Sequence, residues 1–361
     1  MRWFATFLRP ASARAGLGGF FVLMLALSLF VLSACQKTPA ADLPKLKIDP
    51  NRIALAGMSS GAYMATQLHL AFSDHVMAAA LVAGGPYGCS KGDLDTALGT
   101  CMKGAPSTPD AASLASIAVE RGATRQLAPI AGLNGDRVLI VHGALDQTVA
   151  TSVGQASFDF YAALAQLPEA QDLSVSWDAE RKFAHTFPTQ SSGNDCTLSV
   201  APYLGRCEFD AAGEIMGEIF AATASEAPAS AATGELRTFS QDAYLTDGAD
   251  AYLANTGYLY VPKVCAQPLA PACGLLIAFH GCEQNADKVG EAFVRDAGFN
   301  RWADQLRVVV LYPQTRASYF PLNPKACWDW WGFSGKDFDL RSGVQPRWVA
   351  RASAALGAPL E

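Results

Sequence analysis

The feature that most constrains this chain is a glycine-serine turn between an apolar run and a helix-like stretch. Residues 52–65 contain the pattern G-x-S-x-G, centred on Ser59. In a strand, turn and helix setting such a serine lies in a strained turn that only small neighbours such as Gly57 and Gly61 permit. That geometry exposes the Ser59 hydroxyl and leaves the next backbone amide, that of Ser60, free to stabilise an oxyanion.

The same pattern also occurs in ordinary glycine-rich turns, so its context decides the interpretation. A short apolar run precedes it, and the apolar residues of 62–72 recur at helical spacing, so the strand, turn and helix setting is met. We therefore predict that Ser59 is a nucleophile.

The first 34 residues predict an export signal. They contain three arginines and no acidic residue, followed by an apolar run over residues 17–32 that is short for a membrane span. The run ends in Leu-Ser-Ala-Cys, which resembles a bacterial lipobox, so Cys35 is the candidate lipid anchor and residues 35–47 a tether. Gln36 favours the outer membrane, at its periplasmic or surface face. A simple secretory peptide or a short membrane helix is the alternative.

The charge balance argues against a nucleic-acid partner. The chain has 27 basic and 33 acidic side chains, and the export signal holds only basic ones, so the remainder is more acidic than the formal net charge of −6. No basic run follows the signal that could overcome repulsion from phosphates.

The cysteine count predicts a disulfide framework. Beyond Cys35 the chain has eight cysteines, an even number typical of an exported protein. Sequence alone leaves about 105 pairings open, but spacing favours neighbours, and three of the pairs would close short loops bounded by turn residues. No C-x-x-C pattern or nearby histidine pair supports a metal site instead. We expect Cys89 with Cys101, Cys196 with Cys207, Cys265 with Cys273, and Cys282 with Cys327.

Seven apolar runs predict strands. Several are apolar throughout and are separated by helical stretches, which is typical of an α/β fold with a mainly parallel sheet covered by helices on both faces. Length alone would allow two domains, but we expect one, over residues 48–361, with the Ala- and Ser-rich residues 221–234 as a surface connection. The predicted strands are residues 53–56, 77–83, 137–141, 174–177, 258–261, 275–279 and 308–312.

An acid and a base for Ser59 follow it along the chain. Asp146 lies in the loop after the predicted strand 137–141, where a carboxylate is well placed to orient an imidazole, although a solvated loop aspartate or helix cap is the alternative. Of five histidines, His185 follows the next strand on a loop, whereas we expect His142, inside a strand end, to be a packed residue. The order Ser59, Asp146, His185 is that of α/β hydrolases.

A late strand indicates that the fold is circularly permuted. Residues 275–279 are followed by His280-Gly281, which resembles the oxyanion loop of esterases. That loop ordinarily precedes the nucleophile, whereas here it follows it. If the chain after His185 supplies the early strands of the usual fold, residues 221–234 connect the positions that are the N- and C-termini of the unpermuted fold. Strand 53–56 then lies in one sheet with strands 275–279 and 308–312.

Together these motifs resemble the single-domain, circularly permuted extracellular poly(3-hydroxybutyrate) depolymerases, a family of α/β hydrolases. The resemblance implies a serine esterase that hydrolyses this polyester or its short oligomers through an acyl-enzyme, with no cofactor or metal. It also implies that the amides of Ser60 and Cys282 form the oxyanion hole, and that a Cys282 to Cys327 disulfide pins an aromatic loop beside it.

The lipid anchor departs from a freely secreted depolymerase. We expect a monomer. The motifs are residues 57–62, the strand and loop with Asp146, and residues 185–189, 280–284 and 327–332.

The aromatic run near residues 319–333 suggests a substrate wall. Core packing is the alternative for any one ring, but Asp329 and Gly332 interrupt the run, so we expect at least one indole to line the crevice. The candidates are Trp328, Trp330 and Trp331.

Two other functions stay open. One is a short-chain esterase, or a feruloyl or acetyl esterase acting on carbohydrate. The other is a non-catalytic surface-binding lipoprotein, against which the joint presence of Ser59, Asp146 and His185 argues.

Overall fold

The structure is a computed structural model and describes residues 42–220, 231–246 and 248–361. The described residues belong to one compact unit. The predicted export signal, Cys35 and most of the segment 221–234 lie outside these ranges. No helix within these ranges is both long and apolar enough to cross a membrane.

An eight-stranded sheet forms the centre of the fold. Its strands are β1 (Ile48–Met58), β2 (Ala78–Val82), β3 (Arg137–Val141), β4 (Ser174–Asp178), β8 (Glu235–Ser240), β9 (Thr256–Val261), β10 (Cys273–Phe279) and β11 (Val308–Tyr312). They lie side by side in the order β4-β3-β2-β1-β10-β11-β9-β8, all parallel except β9, which is antiparallel to both of its neighbours. All seven predicted strands are present, and β8 is an eighth that was not predicted from the sequence.

The sheet has the order of neighbouring strands that a circular permutation predicts. The strand β1, which leads into Ser59, pairs in parallel with β2 on one side and with the much later β10 on the other. Ile53 is opposite Leu275, and Gly57 is opposite Phe279. Strand β10 in turn pairs with β11. The chain after Gly234 therefore completes the same sheet instead of forming a separate domain.

Helices cover both faces of this sheet, as expected. They are α1 (Ser60–Ala71), α2 (Leu94–Leu98), α3 (Thr100–Lys103), α4 (Ala111–Ala123), α5 (Thr151–Leu164), α6 (Ala211–Phe220), α7 (Ala286–Val289), α8 (Ala292–Asp296), α9 (Phe299–Leu306) and α10 (Val344–Leu356). Alternate side chains of β1 enter different cores: Ile53 and Leu55 pack with α1, α4, α5 and α10, whereas Ala54 and Ala56 pack with α6, α8 and α9. This alternation follows from the twofold side-chain period of a strand.

A second, small sheet carries the loop after His185. It contains β5 (Phe187–Thr189), β6 (Asn194–Asp195) and β7 (Leu204–Arg206), in the order β5-β7-β6. These strands are too short to show an apolar period, so they could not be predicted from the sequence.

Four disulfide bonds close loops around this framework, and their pairing is the expected one. They join Cys89 to Cys101, Cys196 to Cys207, Cys265 to Cys273, and Cys282 to Cys327. Disulfides in this number are typical of an exported protein.

Candidate active site

The turn at Ser59 has the strained geometry that its glycines predict. Strand β1 ends at Met58 and α1 begins at Ser60, which leaves Ser59 between them with φ of 56° and ψ of −120°. A Cβ on Gly57 would lie 2.0 Å from the Gly61 carbonyl oxygen, and one on Gly61 would lie 2.3 Å from the Phe279 carbonyl oxygen. Only glycine therefore allows the backbone to make this turn and present the half-buried Ser59 to a cavity.

Asp146 and His185 form a buried pair. The Nδ1 atom of His185 lies 2.7 Å from Oδ2 of Asp146. The other carboxylate oxygen of Asp146, Oδ1, accepts hydrogen bonds from the amides of Thr148 and Val149 at 2.8 and 2.9 Å. These amides fix the carboxylate, and the carboxylate in turn fixes the His185 ring with Nδ1 as the donor.

Backbone hydrogen bonds bring the two loops of this pair together. In the loop that carries Asp146, the amides of Ala144 and Leu145 donate to the carbonyls of Arg181 and Phe183 in the loop before His185. The His185 amide donates to the Ser199 hydroxyl at 2.9 Å, inside the loop closed by the Cys196–Cys207 disulfide.

The electrostatics keep Asp146 ionised. Burial alone would raise the pKa of this carboxyl, but the hydrogen bond and charge of His185 outweigh burial and hold the pKa below its ordinary value. His142 lies 3.8 Å from Asp146 and is fully buried, with Nε2 3.0 Å from the Val149 carbonyl oxygen, and burial lowers its pKa. His142 is therefore the packed residue that we expected.

Ser59 and His185 line the same cavity. Within the described residues, the Ser59 hydroxyl makes no direct hydrogen bond to the His185 ring. Such contacts are often loose before a substrate is bound and tighten in the complex. The arrangement therefore places a hydroxyl, an imidazole and a buried carboxylate in the order that general-base catalysis needs.

Two backbone amides near Ser59 have no acceptor within the described part of the protein. They belong to Ser60, the first residue of α1, and to Cys282, which follows Gly281. A Cβ on Gly281 would lie only 3.4 Å from the Ser59 Cβ, so the loop passes close to the hydroxyl. Two free amides close to a serine have the chemistry of an oxyanion hole.

A buried histidine and a buried glutamine hold this loop, and neither role was predicted from the sequence. His280 Nδ1 lies 2.7 Å from the Gly281 carbonyl oxygen, while Nε2 accepts from the Thr315 amide at 3.2 Å. The Gln284 side chain accepts from the Gly281 amide at 2.8 Å and donates to the carbonyls of Pro202 and Tyr203. Gln284 thereby joins the loop to the segment that supports His185. The residue types after the late strand, His-Gly-Cys-Glu-Gln, were the only available signal.

Burial of His280 predicts a pH-dependent stability. Burial lowers the pKa of His280 to about 4, although the hydrogen bond to the Gly281 carbonyl opposes this shift. A histidine in the unfolded chain has a pKa of about 6.5. The unfolded chain therefore binds the extra proton, so this contribution is complete above pH 6.5 and is lost as the pH falls to about 4, a change of about 3 kcal/mol. In urea titrations, His280→Gln should have a shallower slope of unfolding free energy against pH in this window than the wild type.

A His280→Gln variant with an unchanged slope would contradict the buried, neutral state of His280.

An aromatic wall lies on one side of the cavity, and it corrects one of the predicted substrate contacts. Trp330 stacks on Tyr63 with ring centroids 4.7 Å apart, and Trp331 meets Trp330 edge-on at 5.7 Å. Both line the cavity, as does Tyr63, which was not among the predicted substrate contacts. Trp328 is fully buried against Phe279 and His280 and is absent from the lining, so its assignment to substrate contact is wrong.

A buried carboxylate shapes the loop that carries this wall. Asp329 Oδ1 accepts from the amides of Trp331, Gly332 and Phe333 at 3.3, 2.7 and 3.1 Å, and Oδ2 accepts from Ser334 at 2.8 Å. These hydrogen bonds wrap the backbone around Asp329 and turn Trp330 and Trp331 toward the cavity. The aspartate inside the aromatic run is thus a structural centre of the loop.

The cavity has a volume of about 410 Å³ and is mostly apolar. Helices α2 and α3 supply Leu94, Leu98 and Met102 to its lining. Within the ranges that the structure covers, no group of His, Cys, Asp or Glu side chains could hold a metal ion.

Comparisons with known proteins agree with this geometry. No protein-family profile matches the chain. The chain is 34% identical over 333 residues to a polyhydroxybutyrate depolymerase of Talaromyces funiculosus, and the aligned region covers 88% of this chain and 92% of that protein. It is also 34% identical over 307 residues to a poly(3-hydroxybutyrate) depolymerase of Delftia acidovorans, of which it spans only 60%.

Solved structures give the same result. The crystal structure of PHB depolymerase from Penicillium funiculosum superposes with a TM-score of 0.77 at 30% identity, over 88% of this chain and 99% of that one. A serine-to-alanine variant of a PHB depolymerase, complexed with an R3HB trimer, matches equally well at 29% identity. The permuted sheet, the serine turn and the extent of this similarity show that the chain belongs to the polyhydroxybutyrate depolymerase family.

Proposed function

We propose that this protein is a serine esterase that hydrolyses poly(3-hydroxybutyrate) or its short oligomers. The observation that carries the proposal is the joint geometry of the site. The Ser59 turn opens into the same cavity as the His185 ring, which a buried carboxylate holds at 2.7 Å. The lining also includes Ser60 and Cys282, whose amides have no acceptor among the described residues. The names of the relatives, and the oligomer in one solved neighbour, support the choice of a polyester.

The chemistry follows from the roles of these groups. Ser59 Oγ attacks the ester carbonyl carbon while His185 Nε2 takes its proton, and Asp146 stabilises the imidazolium that forms. The amides of Ser60 and Cys282 donate to the oxyanion. The intermediate collapses to an acyl-Ser59 ester as His185 returns the proton to the leaving hydroxyl. Water, activated by His185, then releases the acid by the same steps in reverse.

The cavity surface favours a polyester over a small polar ester. A polyester with methyl-bearing repeats presents apolar surface and neutral carbonyls, and flat aromatic walls bind such surface well. The indoles of Trp330 and Trp331 line the cavity together with the apolar side chains of Leu94, Leu98 and Met102.

Removal of the aromatic wall should lower activity on large substrates more than activity on small ones. Trp330→Ala and Trp331→Ala should each lower the hydrolysis of R-3-hydroxybutyrate oligomers relative to that of p-nitrophenyl acetate by about tenfold, because only the longer substrate reaches both rings. The measurement is the ratio of kcat/KM values, together with assays on polymer particles and on p-nitrophenyl esters of graded length.

The buried Trp328 supplies the comparison for these variants. Trp328→Ala should lower the melting temperature more than either of them, because it empties a fully buried site. Equal losses on large and small esters in the Trp330 and Trp331 variants would favour a general short-chain esterase, or one that acts on feruloyl or acetyl esters. Activity on no ester would favour a surface-binding protein.

We also propose that residues 1–34 are a lipoprotein export signal, that Cys35 carries the lipid, and that residues 35–47 tether a single catalytic domain, acting as a monomer, to the outer membrane. The apolar run that ends in Leu-Ser-Ala-Cys supports this. Stable anchoring needs about two lipid signals, so a diacylated terminus is expected.

A cysteine replacement tests the anchor. Cys35→Ser should shift the protein from the membrane fraction to the soluble fraction or leave its signal uncleaved. Intact-mass analysis of the wild type should find the lipid on Cys35. An unmodified mature terminus would refute the anchor and leave a secreted enzyme.

A further inference from the structure

The cavity beside Ser59 carries charge at only one place on its described lining. Apart from His185, its lining is neutral or apolar except for Glu283 and Lys325. The internal repeats of a polyester are neutral, so they give no reason for an ammonium and a carboxylate at this place. The free carboxylate at the end of a polyester chain or oligomer is the one anionic group of the substrate class that we propose.

The contacts of Lys325 leave it able to bind an anion. Its Nζ lies 3.0 Å from Glu283 Oε2, and that oxygen is also 3.3 Å from the Tyr203 hydroxyl. An ammonium has three N–H donors, and Glu283 is the only acceptor for them in the described chain. The remaining donors face solvent, since the Lys325 side chain is 64% exposed.

The pair is fixed next to the position of the reacting ester. Glu283 directly follows Cys282, and its amide donates to the Lys325 carbonyl at 2.7 Å. The Cys282–Cys327 disulfide joins the same two segments. The backbone of Lys325 is therefore tied to the loop whose amide would hold the oxyanion, and its side chain reaches the cavity lining.

We propose that Lys325 binds the free terminal carboxylate of hydroxyalkanoate oligomers and that Glu283 moderates this preference. The inference rests on the proposed function and specifies its substrate as oligomers with a free acid end. Without such an end in the cavity, Glu283 balances the lysine charge, so neutral polymer segments are not disfavoured. When a carboxylate enters, it takes the remaining ammonium donors and is weakly repelled by Glu283.

This arrangement predicts opposite effects for the two partners. The measurement is the ratio of kcat/KM for the R-3-hydroxybutyrate trimer free acid to that for the trimer carboxamide, whose end is neutral and is not an ester. Lys325→Gln should lower this ratio by about fivefold, the size expected for a solvent-exposed ion pair. Glu283→Gln should raise it by a similar factor, and Lys325→Arg, which keeps the charge, should stay near the wild type.

Two controls isolate the local charge. Lys263 is exposed and outside the cavity lining, so Lys263→Gln changes the net charge equally and should leave the ratio unchanged. Raising the salt from about 0.05 M to about 0.5 M should lower the ratio for the wild type but hardly for Lys325→Gln, because ions screen exposed charges.

The outcomes separate this inference from the proposed function. If the wild type cleaves both trimers but the ratio is the same in all variants and salts, Lys325 and Glu283 are only a surface ion pair and the inference is overturned. If the wild type cleaves neither trimer while retaining activity on p-nitrophenyl esters, the proposed substrate is wrong and the inference falls with it.

Discussion

Replacement of Ser59 by alanine is expected to remove nearly all ester hydrolysis, a loss of about 10⁴-fold or more. In the proposed mechanism the other parts of the site act through this oxygen, so losing it removes the acyl-enzyme route altogether. The melting temperature should stay close to that of the wild type, because the half-buried hydroxyl makes no hydrogen bond within the described residues. Initial rates on p-nitrophenyl butyrate, measured with thermal unfolding of the same samples, test both statements.

His185→Ala should match this loss, and Asp146→Asn should cause a somewhat smaller one, because the imidazole can still accept the proton in a less favourable orientation. Ser116 supplies a control, since it is exposed on α4 and its hydroxyl bonds only the Ala112 carbonyl. Ser116→Ala should retain full activity. If Ser60→Ala abolished turnover while Ser59→Ala did not, the register of the turn would be wrong.

Replacement of Gly61 by alanine is expected to have the largest effect on stability. The added Cβ would lie 2.3 Å from the Phe279 carbonyl oxygen and 2.5 Å from that of His280. Both are backbone atoms at the end of β10, so α1 would have to move away from the sheet. We expect a loss of about 3 kcal/mol or more in the free energy of unfolding, a fall of roughly 5 to 10 °C in melting temperature, and loss of activity as the Ser59 turn shifts.

Gly217 offers a matched substitution with the opposite sign. It lies within α6, and a Cβ there would meet no heavy atom within 4 Å. Gly217→Ala should therefore stabilise the protein by up to about 1 kcal/mol, because alanine is the better helix former. If Gly61→Ala melted at the wild-type temperature, the close approach of α1 to β10 would not exist.

The sequence predicted much of the site because local patterns determine those parts. The turn at Ser59 follows from glycines that a strand-to-helix turn requires, and the order of Ser59, Asp146 and His185 follows from strand ends that share one edge of a sheet. Three disulfides close short loops, so their pairing could be predicted from the spacing of the cysteines. The permutation was also readable, since a strand that ends in His280-Gly281 can reach Ser59 only if late and early strands pair side by side in one sheet.

The tertiary structure alone decided which of several similar residues faces the cavity. Trp328, Trp330 and Trp331 are the same residue type at nearly the same sequence position. Packing against Phe279 turns Trp328 into the core, whereas the amides around Asp329 turn the other two toward the cavity. The roles of Gln284 and of the Glu283–Lys325 pair likewise depend on segments far apart in the chain. Local sequence sets the conformation of a turn or strand, whereas the direction of a side chain in a loop is set by distant partners that only the folded chain brings together.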